Sequence, residues 1–295
     1  MKFLAVVIAS LLVLTGCSAP KPTEHRLSVV ASTDVYGSIA RAIGGTLLDV
    51  TSIIDDPAQD PHSFEPGARA ELALSKADIV IKNGAGYDDF VDTMLSALGG
   101  QGPKVLDVAE LSGRPIGPDF NEHLWYDFPS MEKLVIHLVS ALIAAAPADA
   151  NRFENNAENF IQRIYGFEAQ EASLKQRYSG KTYVMSEPVP GYMLEAVGLK
   201  DVTPQAFSRA IEAGTDVPPT ALRDTLDLFT DGGAHLLAYN KQTAGPQTQA
   251  VLWAAHRNSI PVVGVTETLP PDLDYVHWMT ANLNDLASAL KTKKR

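Results

Sequence analysis

The strongest constraint on the fold is an alternation that occurs twice. Short, apolar, β-rich runs are each followed by a helical stretch, first over residues 27–108 and again from about residue 182. In the first series, 27–31, 48–54, 78–81 and 105–108 read as strands, and 36–43, 67–75 and 87–98 as helices. Gly44-Gly45 and Gly99-Gly100 stop two of those helices, since glycine accepts the left-handed conformation that commonly ends a helix. In the second series, 182–185, 235–239 and 260–265 read as strands. The stretches 192–197, 218–228, 247–257 and 275–290 read as helices, the third residue pair Pro218-Pro219 being tolerated in a first turn. Strands that are apolar throughout and separated by helices are buried on both faces, which predicts parallel sheets.

Between the two series lie helical stretches at 131–145 and about 148–176. In the second, Phe153, Ala157, Phe160, Ile161, Ile164 and Phe167 fall on one helical stripe. A helix of about 29 residues reaches about 43 Å, long enough to bridge two bodies. The predicted fold is α/β: two parallel-sheet lobes joined by a long interlobe helix. The expected units are an N-terminal lobe over 26–147, a linking helix over 148–178 and a C-terminal lobe over 179–295. Ligands of such lobes bind in the loops at the carboxyl ends of the strands, here in the cleft between the lobes.

The segment ahead of these lobes has a different character. Met1-Lys2 is followed by an apolar run to Leu14 broken only by Ser10. About a dozen residues are too few to span a bilayer and fit a secretory signal peptide. The run ends Leu14-Thr15-Gly16-Cys17, which resembles a bacterial lipobox. Residues 1–16 are therefore expected to be removed, Cys17 to carry lipid, and 17–25, with Pro20 and Pro22, to form a tether. The expected location is extracytoplasmic, anchored to the cell membrane through Cys17.

Composition narrows the function. With 35 acidic against 24 basic residues the formal charge is −11, and a nucleic-acid binder needs a basic face instead. One cysteine excludes an intramolecular disulfide framework and any multi-cysteine metal site. There is no G-x-S-x-G elbow, no H-E-x-x-H and no Walker loop. Gly84-Ala85-Gly86-Tyr87-Asp88-Asp89 lacks the third glycine of a dinucleotide loop, and its aspartates would repel a pyrophosphate.

The histidines are more informative. Of seven, His137 and His256 lie inside helical stretches, His25 ends the tether, His235 starts a strand and His277 lies in the last helix. All five read as structural or surface residues. His62 lies in Asp60-Pro61-His62-Ser63-Phe64-Glu65-Pro66, after a strand, in a loop pinned by two prolines. His123 lies in Asn121-Glu122-His123-Leu124-Trp125-Tyr126-Asp127, ahead of a helix. The second series offers Glu187 in a proline-held loop, Ser186-Glu187-Pro188-Val189-Pro190, and Glu267 just after the strand 260–265. Each glutamate alone would be a solvated surface residue. Their matching placement with two imidazoles from rigid loops points to a bound metal.

These residues resemble the solute-binding lipoproteins of ABC importers for zinc and manganese, the zinc-uptake and pneumococcal adhesin-type family, over essentially the whole chain beyond Cys17. Asp60-Pro61-His62 with Phe64-Glu65-Pro66 is similar to that family's first metal-histidine loop. The run 121–129 is similar to its second, with Glu122 standing where a proline is usual and Phe128 intervening before Pro129. Ser186-Glu187 resembles the third ligand block, and Glu267-Thr268-Leu269 occupies the place of a usual D-x-L stretch. The resemblance implies His62, His123, Glu187 and Glu267 as metal ligands, a metal buried between the lobes and a rigid interlobe helix. It also implies delivery of the metal to a membrane permease with its cytoplasmic ATPase. A monomer that binds no nucleic acid and is not an enzyme is expected. The competing readings are a surface adhesin, a metalloenzyme using the same residues, and a two-lobe binder of siderophore, haem or cobalamin.

A set of two imidazoles and two carboxylates without thiolate is a hard donor set, which favours Mn²⁺, with Zn²⁺ next and Fe²⁺ third. Zinc-specialised relatives often carry a His-rich loop between the first two histidines, and residues 63–122 contain no histidine. Both imidazoles must be unprotonated to coordinate, so affinity is expected to fall below about pH 6.5.

Overall fold

The computed structural model describes residues 26–59, 61–100 and 102–292. The expected signal peptide, the tether with Cys17, and Asp60 of the first histidine loop lie outside the described residues.

Two parallel four-stranded sheets form the frame. The first contains β1 (Leu27–Thr33), β2 (Leu48–Ile54), β3 (Ile79–Lys82) and β4 (Lys104–Asp107) in the order β2-β1-β3-β4. The second contains β5 (Thr182–Met185), β6 (Lys200–Asp201), β7 (Leu236–Asn240) and β8 (Val262–Val265) in the order β6-β5-β7-β8. Strand order is thus the same in both: the first strand pairs with the second on one side and the third on the other. Register follows the apolar runs, with Val29 opposite both Val50 and Ile79, and Leu237 opposite both Val184 and Val262. Val29, Val30, Ala31, Val80 and Ile81 are all buried, as continuous apolar strands covered on both faces require.

Helices α1 (Asp34–Gly44), α2 (Ala68–Leu74), α3 (Asp89–Ala97) and α4 (Val108–Ser112) belong to the first series. Two longer helices, α5 (Phe128–Ala145) and α6 (Ala150–Tyr178), follow it. α6 is 29 residues long, about 43 Å at 1.5 Å per residue. Its buried face is Phe153, Ala157, Phe160, Ile164, Phe167, Glu171 and Leu174, the stripe expected from the sequence without Ile161, which is half-buried, and extended by about two turns. α5 is long and apolar enough to cross a membrane by composition, but it lays Met131, Leu134, Leu138 and Leu142 into the core beside α6.

The second series carries α7 (Gly191–Ala196), α8 (Gln205–Glu212), α9 (Pro219–Thr230), α10 (Pro246–Arg257) and α11 (Tyr275–Lys291). α11 leaves the second sheet and packs on α6 and α1. Tyr275 stacks on Phe160 of α6 with ring centroids 5.9 Å apart, and Trp278 meets Tyr126 at 5.6 Å. One apolar core consequently runs from β1 through α6 to β5 and α11. A shared core of this kind resists hinge motion, because separating the halves would expose aromatic area worth about 25 cal/mol per Å².

Three elements are not predicted by the sequence pattern: α4, β6 and α8. They are five, two and eight residues long. The glycine-rich turn after β3 has a structural job. Asp88 accepts hydrogen bonds from the backbone N–H groups of Asn83 (2.6 Å) and Gly84 (2.8 Å). Gly84 has φ +80°, and a Cβ there would strike the Asp107 carboxylate at 2.3 Å. Two backbone amides at the start of this turn are thus committed to Asp88.

Candidate metal site

Loops leaving the carboxyl ends of both sheets line a cleft of about 860 Å³. His62, Glu122, Glu187, Glu212 and Glu267 all face it.

His62 sits in the single 3₁₀ turn Pro61–Ser63 after β2. Pro61 is buried beneath it, and the imidazole meets Tyr87 edge-on with centroids 5.2 Å apart. Its side chain is 30% exposed. His123 caps the 3₁₀ turn Leu124–Tyr126 and is wholly buried. Its ring lies against Trp125 at 5.1 Å. Asn121 Oδ1 accepts from the His123 backbone N–H (3.1 Å) and stands 2.7 Å from Nδ1. Asn121 Nδ2 donates to the Pro188 carbonyl (2.9 Å). With the amide orientation fixed by a donor on one side and a carbonyl on the other, Nδ1 donates to Asn121 Oδ1, and Nε2 is the ring nitrogen turned toward the cleft carboxylates. His123 Nε2 is buried and makes no hydrogen bond.

Glu187 follows β5 and is buried. Its Oε2 accepts from Asn240 Nδ2 at 2.6 Å, and Asn240 is held in turn by Ser186 Oγ. Glu267 follows β8; its backbone N–H donates to Gln242 Oε1 (2.6 Å), whose Nε2 reaches across to the Pro57 carbonyl of the His62 loop (2.9 Å). Glu267 Oε1 is buried without a hydrogen bond, 3.9 Å from His123 Nε2.

The structure brings His62, His123 and Glu267 together around a residue the sequence reading missed. Glu212, the last residue of α8, places Oε1 3.6 Å from His62 Nε2 and 3.5 Å from His123 Nε2. Glu122 Oε1 lies 3.7 Å from His62 Nε2. Donor atoms of His62, Glu122 and Glu212 all lie within 4.8 Å of one another. The sequence signals were faint: Glu122 stood where a proline was expected, and Phe207 and Ile211 hinted at a helix ending on Glu212. Asn121, Asn240 and Gln242, which orient the ligand loops, carried no signal. Among the described residues the other histidines lie elsewhere: His277 pairs with Asp274 at 2.8 Å, and His235 Nδ1 lies 2.7 Å from Thr182 Oγ1.

Two imidazoles and four carboxylates crowd the cleft. The Glu212 carboxylate beside it, reinforced by the charges of Glu267 and Glu122 and opposed by burial, pushes His62 up to about 9. Burial, with the charges of Glu212 and Glu267, pushes Glu187 up to about 8. Burial also raises Glu267. Burial works against Glu212 too, but the histidines beside it prevail and hold it below the ordinary carboxylate value. Such a set binds protons where it could bind a cation.

The family described as ZnuA, zinc-uptake complex component A, periplasmic, matches residues 29–289. The manganese-binding lipoprotein MntA of Bacillus subtilis is 27% identical over 169 residues, 55% of this chain and 55% of that protein. The zinc-binding lipoprotein AdcA of Streptococcus pneumoniae is 24% identical over 241 residues, 76% of this chain and 47% of that one. The matches thus span about half the length of these two relatives. Among solved structures, the periplasmic zinc-binding protein TroA from Treponema pallidum is similar in fold, with a TM-score of 0.77 at 16% identity over 91% of this chain and 100% of that chain.

Proposed function

The chain belongs to the periplasmic zinc-uptake component A family, and from that premise we propose that it captures a divalent transition metal ion in its interlobe cleft and delivers it to an ABC-type importer. It works as a binding protein rather than an enzyme, lipid-anchored through Cys17 outside the cytoplasmic membrane. Its partners are a membrane permease and the ATPase behind it.

One observation carries the reading. His123 Nε2, fully buried and free of any hydrogen bond, faces carboxylate oxygens of Glu212 and Glu267 at 3.5 and 3.9 Å. A buried ring nitrogen left without a hydrogen-bond partner costs about 1–3 kcal/mol, and a cation held between the two lobes removes that cost. Of the donor set read from the sequence, His62, Glu187 and Glu267 line this cleft and His123 is buried behind it. The two further carboxylates, Glu122 and Glu212, make its chemistry harder still. That favours Mn²⁺, with Zn²⁺ and then Fe²⁺ as competitors.

Elemental analysis of residues 18–295, loaded anaerobically with competing Mn²⁺, Zn²⁺ and Fe²⁺, tests the proposal. One bound ion per chain, mostly manganese, is expected, with loss of binding in His62→Ala and His123→Ala. A protein that takes up no metal contradicts it, and predominant zinc overturns the preference alone.

A further inference from the structure

Resting on the metal-capture reading, we infer that Glu212 is a direct ligand of the bound ion, and that Glu187 stands outside the first coordination shell. The ligand set becomes His62, His123, Glu212 and Glu267. The third donor then comes from a different element of the C-terminal lobe than the loop after β5.

The spacing of the donor atoms carries the argument. Glu212 Oε1 lies 3.6 Å from His62 Nε2 and 3.5 Å from His123 Nε2, and His123 Nε2 lies 3.9 Å from Glu267 Oε1. These separations are those of ion pairs, longer than an ordinary hydrogen bond of about 2.7–3.2 Å. They approach the edge of a ligand cage: two atoms each about 2.1 Å from one ion at a tetrahedral angle are about 3.4 Å apart. Glu212 Oε1 is the atom both imidazoles share. Glu187, by contrast, pairs with neither imidazole among the described residues, and its Oε2 accepts from Asn240 at 2.6 Å.

The place of Glu212 points the same way. It is the final residue of an eight-residue helix, where the negative end of the helix dipole disfavours a carboxylate. Its Oε2 is buried without a hydrogen bond. Fully buried His123, with its unpartnered Nε2, aims at the same point. α8 is tied across the cleft by Arg209, which pairs with Asp119. The pair is exposed on both sides and adds little to the position of the Glu212 carboxylate.

Chelator competition with Mn²⁺ and with Zn²⁺ on the lipid-free mature chain tests this. The variants are Glu212→Gln, Glu212→Asp and Glu187→Gln, each checked for native circular dichroism. Glu212→Gln should weaken binding at least tenfold more than Glu187→Gln, and Glu212→Asp, with a shorter arm, should also weaken it. The inference is overturned if Glu212→Gln weakens binding no more than Glu187→Gln while the wild type still binds. A wild type that binds neither metal overturns the capture reading along with it.

Discussion

The two lobes share a strand order but not a donor chemistry. In the N-terminal lobe, loops after β2 and β4 deliver imidazoles, each packed against an aromatic ring, His62 on Tyr87 and His123 on Trp125. In the C-terminal lobe, the matching regions after β5, β6 and β8 deliver the carboxylates of Glu187, Glu212 and Glu267. Neutral donors can be buried in an apolar wall at little cost, whereas carboxylates must be hydrogen-bonded or compensated. Glu187 is satisfied by Asn240, but Glu212 and Glu267 each keep a buried oxygen without a hydrogen bond. The lesson is that neither lobe holds a complete site: one supplies both imidazoles with a single carboxylate, Glu122, and the other supplies most of the charge that a divalent cation neutralises.

Removing a donor from either lobe should break this division most severely. His123→Ala should weaken metal binding more than about 100-fold, since losing even an orienting partner of a ligand costs about 10–100-fold. Titration calorimetry with Mn²⁺ checks it. Next in size is Asn121→Ala, expected to cost about 10–100-fold. This side chain orients His123 in one lobe and holds Pro188 in the other, so its loss loosens both contributions together. Unchanged affinity would show that the lobes are positioned independently of it.

The empty and loaded proteins should respond to pH in opposite senses. His62 rises from 6.5 to about 9 on folding, so its contribution to stability is complete below about pH 6.5 and disappears as pH rises through 9. Glu187 rises from 4.5 to about 8, so the folded chain holds a proton that the unfolded chain has released, and stability again falls across that window. Calorimetry in the presence of chelator should find these contributions larger at pH 6 than at pH 9. Metal affinity should rise over the same range as the protons leave, starting well above the pH 6.5 midpoint expected for an unperturbed histidine. Wild type and Glu187→Gln should differ in the slope of melting temperature against pH. The smallest effect is expected for Arg209→Ala, because Arg209 and Asp119 are 54% and 76% exposed. Such a pair is worth under about 1 kcal/mol, and affinity should change less than about fivefold by the corresponding arithmetic.

Most of the frame could be read from the chain because long periodic segments announce themselves. β5 occupies 182–185 as the apolar run predicts, and the stripe from Phe153 to Phe167 marks the buried face of α6. His62 and His123 were legible for a local reason, proline or aromatic neighbours that fix a loop. Glu212 was not, because Phe207 and Ile211 are the only large apolar residues of its helix, a single i, i+4 pair too sparse to mark a face. Asn121 and Gln242 act through partners 67 and 185 residues away, and such pairings exist only once the lobes have packed.

The central claim is that one ion is held between the lobes by donors from both. Anomalous diffraction from crystals loaded with Mn²⁺, collected above the manganese edge, tests it most directly. The account predicts a single strong peak within coordination distance of His62 Nε2 and His123 Nε2 on one side and of a C-terminal-lobe carboxylate on the other. A peak bound by residues of one lobe alone, or an empty cleft in crystals that hold manganese elsewhere, would contradict it.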